Sequence, residues 1–428
     1  MKRIELQIKA LSPLAISRQK PGGSVSEAMD YIPGSVIRGA IASKILQESG
    51  HYSSDLSQNG GEFQALFLGE TPAIFRNAYP ASMEGKQGTR FQSEVKVLPA
   101  TAVSSKTNPG FKRKLQGSSD EEQKSKDNNG VFDTLIDRFC AEGYGYPYDP
   151  SCPTDGGRVE TFKGFYSYNK GNKKYYTHSS NKRLLTRVGI NRRRATAEDE
   201  ILYSLEILNE SQDKREKAVF YCSSILVTDS QVAESLTQFI NDRSRLFRLG
   251  SSTSRGLGKV EITAKQPIDF RADIENRIKI FDNKLKERWE KWKTFNPLQA
   301  NLNNNQIYFT VDLQSDAILT EQWRRTIVIS PEMLQQIACL DDPSLQIHAS
   351  DSSYDYLSGW NTAWGLMKDV ELITNKGAVY LFSTTKLDSW LKPLENLEMK
   401  GAGDRTSEGF GQIRVCNEFH LIFREEAI

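Results

Sequence analysis

The chain has 428 residues, 38% hydrophobic and 26% charged, with 56 basic and 54 acidic groups and a formal net charge of +2. That length exceeds one ordinary core and suggests two or three domains, while the balanced composition excludes a disordered chain. No apolar run approaches the roughly 20 residues of a helical membrane span, which excludes that class. Five cysteines, at 140, 152, 222, 339 and 416, show no CxxC spacing, so neither a disulfide framework nor a standard zinc site is expected. Cys140, Cys152 and His178 are the conceivable metal ligands, but reduced, buried thiols are the expectation, with no metal and no cofactor. The opening stretch lacks a signal-peptide core. A cytoplasmic location is expected.

"RIELQIKAL" alternates as a strand up to Pro13, and a polar loop over residues 17–30 follows. In "DYIPGSVIRGAIASKILQ", Pro33 and Gly34 break the chain and Ser35 is a natural cap. Val36, Ile37, Ala40, Ile41, Lys44 and Ile45 then fall at helical spacing. Arg38 sits in the first turn of that helix, where a cation opposes the dipole and calls for an anion nearby. Residues 104–130 have almost no apolar content and read as a mobile insertion.

From residue 158 to residue 194 there are eleven Lys or Arg and one acid, Glu160, leaving the rest of the chain acidic by eight charges. Such asymmetry points to a local contact with a polyanion. Aromatic residues are interleaved there: Phe162, Phe165, Tyr166, Tyr168, Tyr175 and Tyr176. "LLTRVGINRRRATAEDEILYSLEIL" closes the segment, and the alternation of Ile201, Tyr203, Leu205 and Ile207 predicts a strand at the end of a long polar-tipped hairpin. "KAVFYCSSILVTD" reads as a strand and "SQVAESLTQFINDRSRLF" as a helix. Ile274, Ile278, Phe281, Leu285, Trp289 and Trp292 then mark an amphipathic helix expected to strap two domains together.

A glycine loop occurs twice. "GSSTSRGLGKV" begins at Gly250 and "GDRTSEGFGQI" at Gly403, 153 residues later, and the two agree at five positions. In each half the order is strand, helix, glycine loop, strand, with "QIRVCNEFHLIF" expected as the last strand. Glycine lets a ligand approach the main chain, and successive amides can form an anion nest to which Ser251, Ser252, Thr253 and Ser254 add hydroxyls. Arg243, Arg245, Arg248 and Arg255 surround the first copy, whereas the second has Arg405 but puts Glu408 where Arg255 stands. The first loop is therefore expected to be the stronger phosphate site. Neither copy is a Walker loop or a dinucleotide fingerprint.

"DYIPGSVIRGA", "INRRRATAEDEILY", the duplicated "TSRGLGKV" loop, and "YLSGWNTAWGL" with "NKGAVYLF" together resemble the signature blocks of the RAMP superfamily, the repeat-associated proteins of CRISPR effector complexes. The resemblance implies an α+β fold of two tandem ferredoxin-like, RNA-recognition-type domains with a hairpin or thumb insertion and a mobile loop. The expected divisions are residues 1–268 with an insertion at about 104–194, a connecting helix at 269–300, and a second domain at 301–428. The single "IPGS" block looks most like the Csx-ten group, the Cas-five-like subunit of type III-D complexes. That group implies a non-catalytic subunit gripping the 5′ repeat-derived handle of CRISPR RNA and capping the backbone filament, with the large polymerase-like subunit, backbone subunits and target RNA as neighbours.

Carried onto this sequence, the resemblance places Gly34, Ser35 and Arg38 on the helix-start block. It places Gly250, Ser251, Ser252, Ser254, Arg255, Gly256 and Gly258 on the glycine loop, with Arg405 on its repeat. Arg187, Arg192, Arg193 and Arg194 fall on the thumb. Phe165, Tyr166, Tyr168, Tyr175 and Tyr176 are candidates for stacking on single-stranded bases. Two other readings stand beside this one. Asp30 is the candidate acid of a target-cutting endoribonuclease and His51 a lone candidate base, while a scaffold touching only proteins would need neither.

Overall fold

The structure, a computed structural model, describes residues 1–18, 27–50, 55, 59–84, 90–91, 94–112, 128–169, 171, 173–191, 196–211, 218–270, 272–296, 302–303, 305–361 and 365–428. Strand β1 (Lys2–Ala10) buries Ile4, Leu6, Ile8 and Ala10 and leaves the intervening polar residues on its other face, as a period of two requires. Helix α1 (Gly34–Ser49) and the short strand β2 (Ile74–Phe75) follow. The chain then makes a long excursion that includes the paired strands β3 (Lys182–Asn191) and β4 (Thr196–Leu208), and returns as β5 (Phe220–Val227), α2 (Ser230–Asp242) and β6 (Val260–Ala264). The sheet order is β6-β1-β5-β2. A βαββαβ unit with its strands in the order 4-1-3-2 is a ferredoxin-like module.

Helix α3 (Ile274–Trp292) leads into the second module. This consists of β7 (Ile307–Leu313), α4 (Pro331–Ala338), β8 (Gln346–Asp351), β9 (Val379–Thr384), α5 (Leu387–Lys400) and β10 (Ile413–Val415). Its order, β8-β9-β7-β10, is the same topology read from the opposite edge. The duplication seen in the glycine loops is thus a duplication of the whole module, and the α+β expectation holds. No helix among the described residues is long and apolar enough to cross a membrane.

The two modules differ in what covers their sheets. In the first, Ile37 and Ile41 of α1 and Ala233, Leu236 and Ile240 of α2 close one face, leaving Arg3 and Glu5 of β1, opposite Ser224 of β5, on the other. In the second, both faces are closed. Phe309 meets Trp390 of α5 on one side, while the Tyr308 amide donates to Asp282 of α3 on the other. Helix α3 therefore belongs to the second core. It joins that core to the helix Leu135–Gly143 from the first half, through the Arg288–Asp137 ion pair and the Tyr144–Trp289 contact. It straps the excursion to the second module.

Three local expectations are corrected. Pro33, and not Ser35, caps α1, and the Gly34 amide donates to Asn77 Oδ1 at 2.8 Å. The last strand ends at Val415 because Cys416 takes a left-handed conformation, and the chain continues as a short 3-10 turn, Glu418–Leu421. Within 104–130, residues 104–112 and 128–130 are seated. Phe111 is core, and Asp155 accepts hydrogen bonds from Ser105, Thr107 and Asn129. Residues 113–127 lie outside the described residues.

Candidate nucleic-acid interface

The first glycine loop leaves α2 and turns back toward β6. Its base is fixed to the connection after β1: the Ser251 amide donates to the Ala15 carbonyl and the Gly258 amide to the Pro13 carbonyl, both at 2.9 Å. Between them runs a 3-10 turn, Thr253–Arg255, bracketed by left-handed residues Ser252 and Gly256, the alternation of backbone hand that anion nests use. Ser251, Thr253, Ser254, Arg255 and Gly256 are exposed. The hairpin packs beside them, with Leu185, Leu205 and Ile207 against Leu257 and Ala15.

That packing brings two of the expected cations together. The Arg187 guanidinium donates to the Arg255 carbonyl at 3.1 Å, and the Arg255 guanidinium donates to the Tyr203 hydroxyl at 2.6 Å. Neither has a carboxylate within ion-pair distance among the described residues. Of the other flanking arginines, Arg243 pairs with Glu48 and Arg245 with Glu261, so part of the positive charge counted in the sequence is neutralised locally. Arg248 donates to the main-chain carbonyls of Arg245 and Phe247.

The second glycine loop, with its 3-10 turn Thr406–Glu408, faces inward. It packs on the start of α1 and on β2. A methyl group placed on Gly34 would meet the Phe75 carbonyl oxygen at 1.9 Å and the Glu408 carbonyl oxygen at 2.8 Å. Arg405 is paired with Glu408 at 2.6 Å and lies over Phe410. Burial would raise the Glu408 carboxyl, but Arg405, Lys368 and Arg38 together hold it below the usual carboxylate value. For Arg38, burial lowers the guanidinium pKa and Glu408 opposes that shift. The anion that Arg38 requires is thus supplied from within the chain, and one of its nitrogens donates to the Phe67 carbonyl at 2.9 Å. Gly34, Arg38 and Arg405 accordingly build the junction between modules and are taken out of the candidate interface, and Ser35 is a half-buried neighbour on α1.

A family model described as the RAMP superfamily matches residues 7–261, more than half of the chain. The chain belongs to the RAMP superfamily. Solved structures similar to this RAMP chain include a subunit of the type III-B Cmr-beta complex bound to cognate target RNA, with a TM-score of 0.40, 11% identity and 96% of each chain covered. A Cmr-beta structure bound to cognate target RNA and AMPPnP gives 0.40 and 11%, covering 91% of this chain and 88% of that one. Oligomeric Cmr4 from Pyrococcus furiosus gives 0.25 and 14%, covering 62% and 99%. No curated protein matches. The ferredoxin-like assignment rests on the strand order itself.

Other expected residues of this RAMP protein are placed as follows. Arg192, Arg193, Arg194 and His51 lie outside the described residues. Phe165 and Tyr166 are 2% and 3% exposed. Phe165 stacks on Tyr79 at 4.6 Å and the Tyr166 hydroxyl donates to Asn417 at 2.8 Å, so their ring faces are spent in packing and closed to a base. Tyr168 lies against Tyr175, and Tyr175 and Phe162 pack against the small core around Phe111. Tyr176 is half-buried. Their alternation in sequence reflects strands that fill a core.

Asp30 is half-exposed and 3.7 Å from the Lys376 amine of the second module. His178 spends its ring nitrogens on Ser82 and Ser167. Cys140 belongs to the second core, where burial drives its thiol well above the ordinary value, and Cys152 is also buried. Sequence reasoning missed Tyr203 as a partner of Arg255, and Asn77 as the partner of the Gly34 amide. Each joins segments more than forty residues apart, and no local pattern announces them.

Proposed function

We propose that this RAMP protein is a non-catalytic subunit of a type III CRISPR effector complex that grips guide RNA, at its 5′ repeat-derived handle, and caps the backbone beside the large subunit. Of the type III-D subunits, the Csx-ten group is the one its motifs resemble. The observation that carries the reading is the contrast between the two glycine loops. The second spends its glycines and its arginine inside the chain, while the first presents exposed hydroxyls and backbone beside Arg187 and Arg255. A ribose-phosphate strand supplies the acceptors that such a surface lacks, and guanidinium groups grip phosphate by paired donors.

The test is RNA binding by the full chain in its assembly. Arg187→Ala with Arg255→Ala is expected to weaken guide binding at low salt and to flatten the salt dependence, by about 0.7 in log–log slope for each single-strand phosphate no longer neutralised. An unchanged slope would remove this surface from the site. A target-cutting role for Asp30 would instead show as the loss of a cut when Asp30 is replaced by Ala.

A further inference from the structure

A cleft of about 400 Å³ lies where the uncovered face of the first sheet meets the second module, and no residue of the first glycine loop lines it. Its volume falls within the roughly 300–1,000 Å³ of small-molecule sites. Arg3 from β1, Arg76 just after β2 and Arg414 from β10 all line it. The Nε atoms of all three arginines are buried and make no hydrogen bond among the described residues. Two of these cations have carboxylate partners, Arg3 with Glu94 at 3.0 Å and Arg414 with Glu398 and Glu418.

Arg76 has none among the described residues. One of its nitrogens donates to the Glu398 carbonyl at 2.9 Å, and its Cζ lies 5.3 Å from the centroid of the Phe270 ring. Burial, and then the nearby Arg3, lower its pKa to about 10 against the opposing pull of Glu94 and Glu398, which also line the cleft. A guanidinium held between two modules, short of acceptors and repelled by its neighbour, is a poor structural device, since an apolar side chain would fill the space without the desolvation cost. It is a good device for an oxyanion. A tetrahedral phosphate offers several acceptors to guanidinium forks converging from different directions.

We propose that this cleft is a phosphate-binding site centred on Arg76, taking the phosphate group of a nucleotide. The phosphate is either free or part of an RNA strand, and the site is independent of the guide-gripping surface at the first glycine loop. Because it is formed by residues from both modules, its occupancy ties them together. Arg76 contacts the phosphate directly, and Arg3 and Arg414, held by their carboxylate partners, add positive charge to the wall of the cleft.

Isothermal titration of the full chain with inorganic phosphate, with AMP and with a 5′-phosphorylated RNA hexamer tests the site. Saturable binding of at least one probe is expected, weakened at least tenfold in Arg76→Gln and unchanged in Lys284→Gln, an exposed lysine on α3. Tighter binding of AMP than of the hexamer assigns a free nucleotide, and the reverse order assigns a strand. If Arg76→Gln does not fold, Arg3→Gln carries the test, with a loss of several-fold expected. No saturable binding of any probe, or binding by the folded variant as tight as by the parent chain, would overturn the proposal.

Discussion

His420 sits in the tail after β10, fully enclosed, with Nε2 2.6 Å from Asp312 of β7 and Nδ1 3.2 Å from Asp133 of the excursion. Burial alone would lower its pKa, but the two carboxylates outweigh that and lift it to about 10. Asp133 also accepts from the Thr101 hydroxyl and the Leu135 amide, so one imidazolium links three distant parts of the chain. Because the folded group holds its proton far above the unfolded value of 6.5, this stabilisation is complete below about pH 6.5 and is lost as pH rises through about 10. His420→Gln leaves two carboxylates facing each other without a cation and is expected to cost about 3–5 kcal/mol. Urea unfolding at pH 7 checks it. A cost below about 1 kcal/mol would show that the histidine is not charged there.

At the scale of elements, the junction between α1, β2 and the second glycine loop is tightly specified. Gly34→Ala puts a methyl into two backbone carbonyl oxygens, and backbone cannot swing aside as a side chain can. Overpacking of this kind costs about 1–3 kcal/mol. Gly256→Ala, at a left-handed position with nothing within 4 Å, carries only backbone strain of about 1–2 kcal/mol. Thermal unfolding should therefore show both variants destabilised, with increased protease sensitivity at the module junction confined to Gly34→Ala. Equal sensitivity in both would contradict the assignment of the second loop to the junction.

The same scale shows what was legible in the sequence. Periodicity found β1, α1, α2, α3 and the hairpin, because each buries one face against its neighbours. It overextended the last strand, since "NEFHLIF" is apolar for another reason: the tail crosses back, the Val131 amide donates to the Ile428 carbonyl at 2.7 Å, and Phe419 and Ile422 fill the small core with Phe111. Phe165 and Tyr166 read as stacking faces, because an aromatic that fills a core and one that awaits a base look alike in sequence. The glycine repeat was legible, with a 3-10 turn in each copy. That Glu408 answers Arg38 was not, since the two lie in different modules.

Across the whole molecule, two copies of one fold have diverged in use. The second module covers both faces of its sheet and lends its glycine loop to the junction. The first keeps its loop exposed beside a long hairpin, and keeps its sheet's outer face open onto the arginine-lined cleft. A chain of nearly balanced total charge thereby places Arg187, Arg255 and Arg76, which have no carboxylate at ion-pair distance among the described residues, at two separate surfaces. The central claim is that the first glycine loop and the hairpin, and not the second loop, meet the guide. Ultraviolet crosslinking of guide RNA to this chain in the purified assembly, mapped by peptide mass spectrometry, tests it most directly. Crosslinks are expected within residues 182–208 and 250–258 and none within 403–411; crosslinks confined to the second loop, or absent from both first-module segments, would contradict the account.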